Sequence, residues 1–202
     1  MRLFAALLPP EDVRAELALA VAELRGLPGA AGLRWTGPPG WHLTLAFYGE
    51  VGDDAVADLS ERLAGAARHT GPFRLALRGG GQFGHGRVLW AGADGDLAAL
   101  RLLADRAAAA GREAGLPMAD HHAYRPHLTV ARGREATDLD PYLTALEGYA
   151  GRPWTVHELA LVRSNLPEPG QVGQPTQPGE PGESGEPPRY ETVAREPLGA
   201  AG

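Results

Sequence analysis

At 202 residues, 44% of them hydrophobic, the chain can build one domain or two small lobes around a shared core. It has no cysteine, and all nineteen basic residues are arginine, which excludes disulfides, thiolate metal sites, a cysteine nucleophile, a Schiff-base lysine and a lysine-dependent phosphate loop. The net charge of −6 argues against a broad nucleic-acid surface, although Glu168, Glu180, Glu183 and Glu186 lie in one base-free segment, and without these four acids the remainder is near −2. Such a body can grip one nucleic-acid end in a local arginine-lined cleft, but not coat a long duplex. No apolar run approaches a membrane span and Met1-Arg2 is too brief for a signal n-region, so a cytoplasmic protein without membrane contact is expected.

Residues 2–8 read as a buried strand, ended by Pro9-Pro10, which preset the first turn of a helix. Glu11 and Asp12 suit the positive helix terminus, and Val13, Leu17, Val21 and Leu24 recur at helical spacing until Gly26 and Pro28-Gly29 stop the run. A short strand is expected at 33–36, then a turn forced by Gly37-Pro38-Pro39-Gly40 before a strand carrying Trp41-His42-Leu43-Thr44-Leu45-Ala46-Phe47. Alternation in that strand sends Leu43, Leu45 and Phe47 into a core and leaves His42 and Thr44 on the opposite face, about 7 Å apart. Asp53-Asp54 supply an N-cap and an acidic first turn for a second helix, with Val56, Leu59 and Leu63 inward. Strands follow at 73–78 and 88–91. The intervening Gly79-Gly80-Gly81, with Gly84 and Gly86, lacks the Lys and Ser/Thr of a phosphate cradle and reads as a connection using positive φ angles.

The order then repeats. Asp94 and Asp96 open an Ala-rich helix with Leu97, Leu100 and Leu103, and Pro126-His127-Leu128-Thr129-Val130-Ala131-Arg132 follows as a second His-apolar-Thr-apolar strand. Asp138 and Pro141 start a short helix, and 154–163 reads as one more strand. The helix start precedes the histidine by 32 residues in the first half (Pro10 to His42) and 31 in the second (Asp96 to His127), as an internal duplication would give. Between 167 and 188, sixteen of twenty-two residues are Pro, Gly or Glu, a composition that cannot bury enough surface to offset chain entropy, so this segment is expected to be disordered. Residues 190–195 alternate again like a strand, which makes the segment a swollen hairpin loop rather than a free tail.

Two imidazoles facing each other across a cleft, each with a hydroxyl two residues on, suit phosphate-ester chemistry. One takes a proton from water and the other gives one to the leaving oxygen, while Thr44 and Thr129 donate to non-bridging oxygens and Arg125 or Arg132 offsets charge on the phosphoryl group. No metal or other cofactor is called for. His121, His122 and His127 cluster, but adjacent histidines point to opposite sides of an extended chain and no carboxylate stands at ligand spacing. His69, His85 and His157 carry no motif, and none of Ser60, Ser164 and Ser184 lies in a nucleophile elbow.

The two His-Leu-Thr motifs, the opening Met-Arg-Leu-Phe-Ala-Ala-Leu-Leu-Pro-Pro, the Arg-Pro-His-Leu-Thr of 125–129 and the Leu-Val-Arg-Ser of 161–164 closely resemble the two-histidine phosphoesterases. The likeness is strongest to the RNA 2',3'-cyclic phosphodiesterases, also called 2'-5' RNA ligases, over residues 1–165 and 189–198. It implies an α+β, bilobal, pseudo-symmetric fold with two antiparallel sheets flanking a central cleft and helices outside, forming one domain with 167–188 as a loop and 199–202 as a tail. It further implies hydrolysis of an RNA-terminal or nucleoside 2',3'-cyclic phosphate to a 2'-phosphomonoester, with weak reverse joining of 2'-5' ends. By the same resemblance His42 is the acid and His127 the base, Thr44 and Thr129 bind phosphate, and Arg132 contacts the base of the nucleotide. The expected partner is an RNA 3' end or nucleotide, with the protein acting as a monomer. The competing expectations are an RNA-end binding module without turnover and a phosphodiesterase for another cyclic phosphate.

Overall fold

The computed structural model describes residues 1–118, 123–165 and 189–199. Its strands are β1 (Arg2–Leu7), β2 (Leu33–Trp35), β3 (Leu43–Glu50), β4 (Phe73–Phe83), β5 (Val88–Gly95), β6 (His127–Gly133), β7 (Trp154–Val156), β8 (Glu158–Asn165) and β9 (Arg189–Pro197). Its helices are α1 (Glu11–Leu24), α2 (Asp53–Arg68), α3 (Leu97–Glu113) and α4 (Asp140–Leu146). All strand pairs are antiparallel, in the order β7-β4-β5-β6-β3-β1-β8-β9, with β2 also on β6. The two expected sheets are thus halves of one curled sheet, joined edge to edge by the single pair Leu43–Leu128. Beyond that pair β3 and β6 part, and β2 takes the remaining edge of β6 from Ala131 to Gly133. This parting opens the cleft between the two histidine strands.

The helices cover one face of the sheet. Val13, Leu17, Val21 and Leu24 of α1, Leu59 and Leu63 of α2, and Leu100 and Leu103 of α3 are buried there with Leu43, Leu45, Leu128 and Val130. Each buried leucine contributes roughly 1.5–3 kcal/mol, so the apolar positions of both histidine motifs anchor their strands firmly. On the opposite face, the one left open for chemistry, Phe4, Ala6, Ala160 and Val162 form a small apolar cluster.

Several local expectations are corrected. Phe47 is not in the core but 48% exposed beneath the Arg2 guanidinium, while Tyr48 is buried. Its ladder with β1 slips at two points, Ala5 and Ala6 pairing with Ala46 and Thr44, and Leu3 and Phe4 with Gly49 and Phe47, so the inward–outward alternation is reset. Gly79-Gly80-Gly81 is no connection: β4 runs through it with a slip between Leu77 and Gly80, and only Gly79 of the three has positive φ. Gly81 is required for closeness, since a Cβ there would stand 2.2 Å from the Trp90 indole. Asp53 begins the α2 helix rather than capping it, the cap being Gly52, and α4 begins at Asp140 with Asp138 accepting from its backbone N–H. Asp94 lies in β5, and Asp96 alone caps α3, accepting from Ala99 N–H. The strand expected at 154–163 is two, because β7 joins β4 in one half and β8 joins β1 in the other, with the chain crossing at His157. β8 and β9 pair from Glu158–Pro197 to Asn165–Arg189, so they form a hairpin; the disorder expected at 167–188 concerns residues outside those described.

Candidate active site

Each histidine is held by the same local device. His42 Nδ1 lies 2.8 Å from the Gly40 carbonyl oxygen, and His127 Nδ1 lies 2.8 Å from that of Arg125, in both cases two residues back. A carbonyl only accepts, so Nδ1 carries the proton and Nε2 is left as the reactive nitrogen of each ring. The backbone that supplies these carbonyls is itself restrained. A 3₁₀ turn at Pro38–Gly40 opens with proline, and Pro126 biases Arg125 to extended backbone. Trp41 Nε1 donates to the Thr36 carbonyl at 2.8 Å, and Tyr124 Oη donates to the Thr44 carbonyl at 3.0 Å, which ties the approach to one motif onto the other.

His42, Thr44, His127, Thr129 and Arg132 line one pocket of about 90 Å³ together with Thr36, Gly40 and Tyr190. Both motifs therefore meet where the sheet halves part. Aromatic rings flank each imidazole. Phe4 and Tyr190 stand 4.7 and 5.1 Å from the His42 ring, and Phe83 and Trp90 stand 4.8 and 6.0 Å from that of His127. Loss of water around His42 pushes its pKa from 6.5 down to about 4; the Gly40 carbonyl works against this, and the charges of His127 and Arg132 add to it. Before substrate binds, His42 is an uncharged imidazole at neutral pH.

Arg125 does not line the pocket with its guanidinium, which sits 5.8 Å over the Phe83 ring; its carbonyl oxygen serves the site instead. No group of three or more His, Asp or Glu converges among the described residues, and His121 and His122 lie outside them. Tyr190 and Thr36 were not singled out by sequence. Tyr190 arrives from β9, beyond the low-complexity segment, and is aligned opposite Ser164 by the hairpin ladder alone. The two carbonyls share an offset of two residues from their histidines, but a backbone oxygen leaves no trace in residue type.

Against this geometry, the family model of the 2'-5' RNA ligase superfamily matches residues 9–168. The chain belongs to that superfamily. It is 37% identical over 185 residues to an RNA 2',3'-cyclic phosphodiesterase of Thermus thermophilus, covering 85% of this chain and 86% of the relative. A Geobacillus stearothermophilus protein of the same name is 32% identical over 169 residues, covering 81% of this chain and 47% of that one. Among solved structures, TT0787 of Thermus thermophilus superimposes with a TM-score of 0.72 at 31% identity and 99% coverage of both chains. Escherichia coli LigT in complex with 3'-AMP gives 0.70 at 27% identity, covering 98% of this chain and 97% of that one. The superfamily's α+β architecture, with its curled antiparallel sheet and outer helices, is the architecture described above.

Proposed function

We propose that this protein hydrolyses RNA-terminal or nucleoside 2',3'-cyclic phosphates to 2'-phosphomonoesters by metal-independent acid–base catalysis between His42 and His127. The observation that carries the reading is the matched pair of Nδ1–carbonyl bonds, which leaves two Nε2 atoms and two threonine hydroxyls for one pocket. His127 Nε2 takes a proton as the oxygen of water attacks phosphorus. The bond from phosphorus to the 3' oxygen breaks, and that oxygen receives the proton of His42 Nε2. Thr44 and Thr129 donate to the non-bridging oxygens, and Arg132 offsets their charge or meets the nucleotide base. Run with the 5' hydroxyl of a second RNA in place of water, the same steps form a 2'-5' phosphodiester as the bond to the 3' oxygen breaks, and so join 2'-5' ends weakly. The relatives named RNA 2',3'-cyclic phosphodiesterase and the 3'-AMP complex of LigT support a nucleotide occupant.

The deciding experiment is a product assay on 2',3'-cyclic nucleotides and a short RNA ending in a cyclic phosphate. A 2'-phosphomonoester is expected; binding without turnover would leave an RNA-end binding module, and an exclusively 3'-phosphate product would reverse the orientation of the substrate. Exhaustive chelation should leave the rate unchanged, because each proton transfer is assigned to an imidazole; restoration of a chelated, inactive enzyme by Zn²⁺ or Mn²⁺ would overturn that.

We read residues 1–165 and 189–198 as one monomeric catalytic domain, cytoplasmic in keeping with its lack of cysteine, with 167–188 having no part in the machinery. Replacing 167–188 by a short Gly-containing turn should preserve folding and turnover, since each doubling of loop length costs only about 0.6 kcal/mol in closure entropy. A folded but inactive deletion variant would show that the segment touches substrate.

A further inference from the structure

Arg34 is an exposed cation beside the cleft to which the reaction above gives no role. On β2 its neighbours Leu33 and Trp35 turn toward the core: Leu33 is buried, and Trp35 packs against the core and donates its Nε1–H to the Ala30 carbonyl at 3.0 Å. Alternation therefore places Arg34 on the other face, together with Thr36, which borders the catalytic pocket. Thr36 N–H donates to the Val130 carbonyl at 2.9 Å, so the pairing of β2 with β6 continues up to that border. In this ladder Arg34 is the direct partner of Arg132, and directly paired residues share a face of the sheet.

Two guanidinium groups side by side repel, and like charges directly opposite on a sheet are destabilising. Some arginines elsewhere find carboxylates, Arg62 with Asp58 and Glu113, Arg78 with Asp94, Arg152 with Asp12 and Glu16, and Arg195 with Glu158, and Arg2, Arg25 and Arg125 lie over aromatic rings. Among the described residues neither Arg34 nor Arg132 forms an ion pair, in a chain with net charge −6. A juxtaposition of this kind is relieved by an anion from outside. Arg132 reaches the pocket itself, whereas Arg34 is set back about 7 Å from Thr36 along the strand. A 2',3'-cyclic phosphate ends its RNA chain, so any further phosphate lies on the 5' side, one nucleotide away.

We propose that Arg34 forms a second anion subsite, which takes the phosphodiester immediately 5' of the cyclic nucleotide and makes the protein select RNA ends over mononucleotides. The proposal rests on the cyclic-phosphate reading of the pocket and adds the substrate class to it. Only the negative charge of that linkage is read, so the preference is indifferent to the sequence of bases.

The test compares kcat/KM on a 2',3'-cyclic mononucleotide, a dinucleotide ending in the same cyclic phosphate, and that dinucleotide with a neutral methylphosphonate linkage. Arg34→Gln should lose about tenfold on the charged dinucleotide alone, in line with a charge-assisted contact. The wild type should lose the same factor when the linkage is neutralised, and Arg34→Gln should then show no further loss. In parallel, binding of the dinucleotide 2'-phosphate is followed against salt; loss of one phosphate contact should flatten the log–log slope by about 0.7. Equal loss on all three substrates would place Arg34 at the cyclic phosphate and overturn the proposal, as would no loss on any. A wild-type protein that hydrolyses none of the three refutes the hydrolase reading alone. The salt slope then decides for Arg34, a flatter slope in the variant supporting the subsite and an unchanged one overturning it.

Discussion

His42→Ala and His127→Ala are each expected to lower hydrolysis of a 2',3'-cyclic phosphate by at least about a hundredfold, the usual effect of losing a positioned acid or base. The expectation follows from how little redundancy the pocket has. Its other functional side chains, Thr44, Thr129 and Arg132, are donors that can stabilise charge on oxygen, but none exchanges a proton readily near neutrality. Thr44→Ala and Thr129→Ala should therefore be milder, about tenfold, because each removes a single hydrogen bond to an anionic oxygen. Release of phosphomonoester is the readout. Thermal melts must accompany it, since His42→Ala also opens space between Phe4 and Tyr190, and a folded protein with lost activity separates chemistry from collapse. Robust turnover in either folded histidine variant would sink the two-histidine mechanism.

The parts of the fold that were legible from sequence are those dictated by local pattern. The periodic leucines of α1 and α2, the alternating motifs of β3 and β6, and the proline and glycine stops depend on neighbours within one or two turns. What failed was decided by register across the sheet. Phe47 reads as a core residue because alternation says so, yet two slips in its ladder with β1 turn Tyr48 inward instead. The glycines of 79–81 read as a loop because glycine is a poor strand former; β4 keeps them since a side chain at Gly81 would collide with Trp90, a contact sequence cannot see. The candidate site divides in the same way. The pairing of His42 and Thr44 with His127 and Thr129 was visible as a repeated motif, whereas Tyr190, the carbonyls of Gly40 and Arg125, and the pairing of Arg34 with Arg132 exist only after the strands are aligned.

The role of His42 carries the second large effect. The free site holds its pKa near 4, chiefly by loss of water, yet an acid that protonates the departing 3' oxygen must carry a proton at neutrality. A phosphodiester anion resolves this, since it enters beside a desolvated ring, where charges interact strongly, and opposes the nearby guanidinium of Arg132. Binding a nucleoside 2'-phosphate at pH 6 should thus take up close to one proton more in the wild type than in His42→Ala, and the affinity advantage of the wild type should grow as pH falls through the window between the free and bound values. Calorimetry in buffers of different ionisation enthalpy reads that difference, from which the ligand's own second ionisation, also at about 6, cancels. The sign reverses for the free protein. Its unfolded chain binds a proton at about 6.5 and the folded site only near 4, so the stability attached to neutral His42 is fully present above 6.5 and is lost as pH drops toward 4. A substrate with a much better leaving group needs little protonation, so it should rescue His42→Ala far more than His127→Ala, whose task of activating water is unchanged. The opposite pattern of rescue, together with no extra proton uptake on binding, would make His42 the base and His127 the acid.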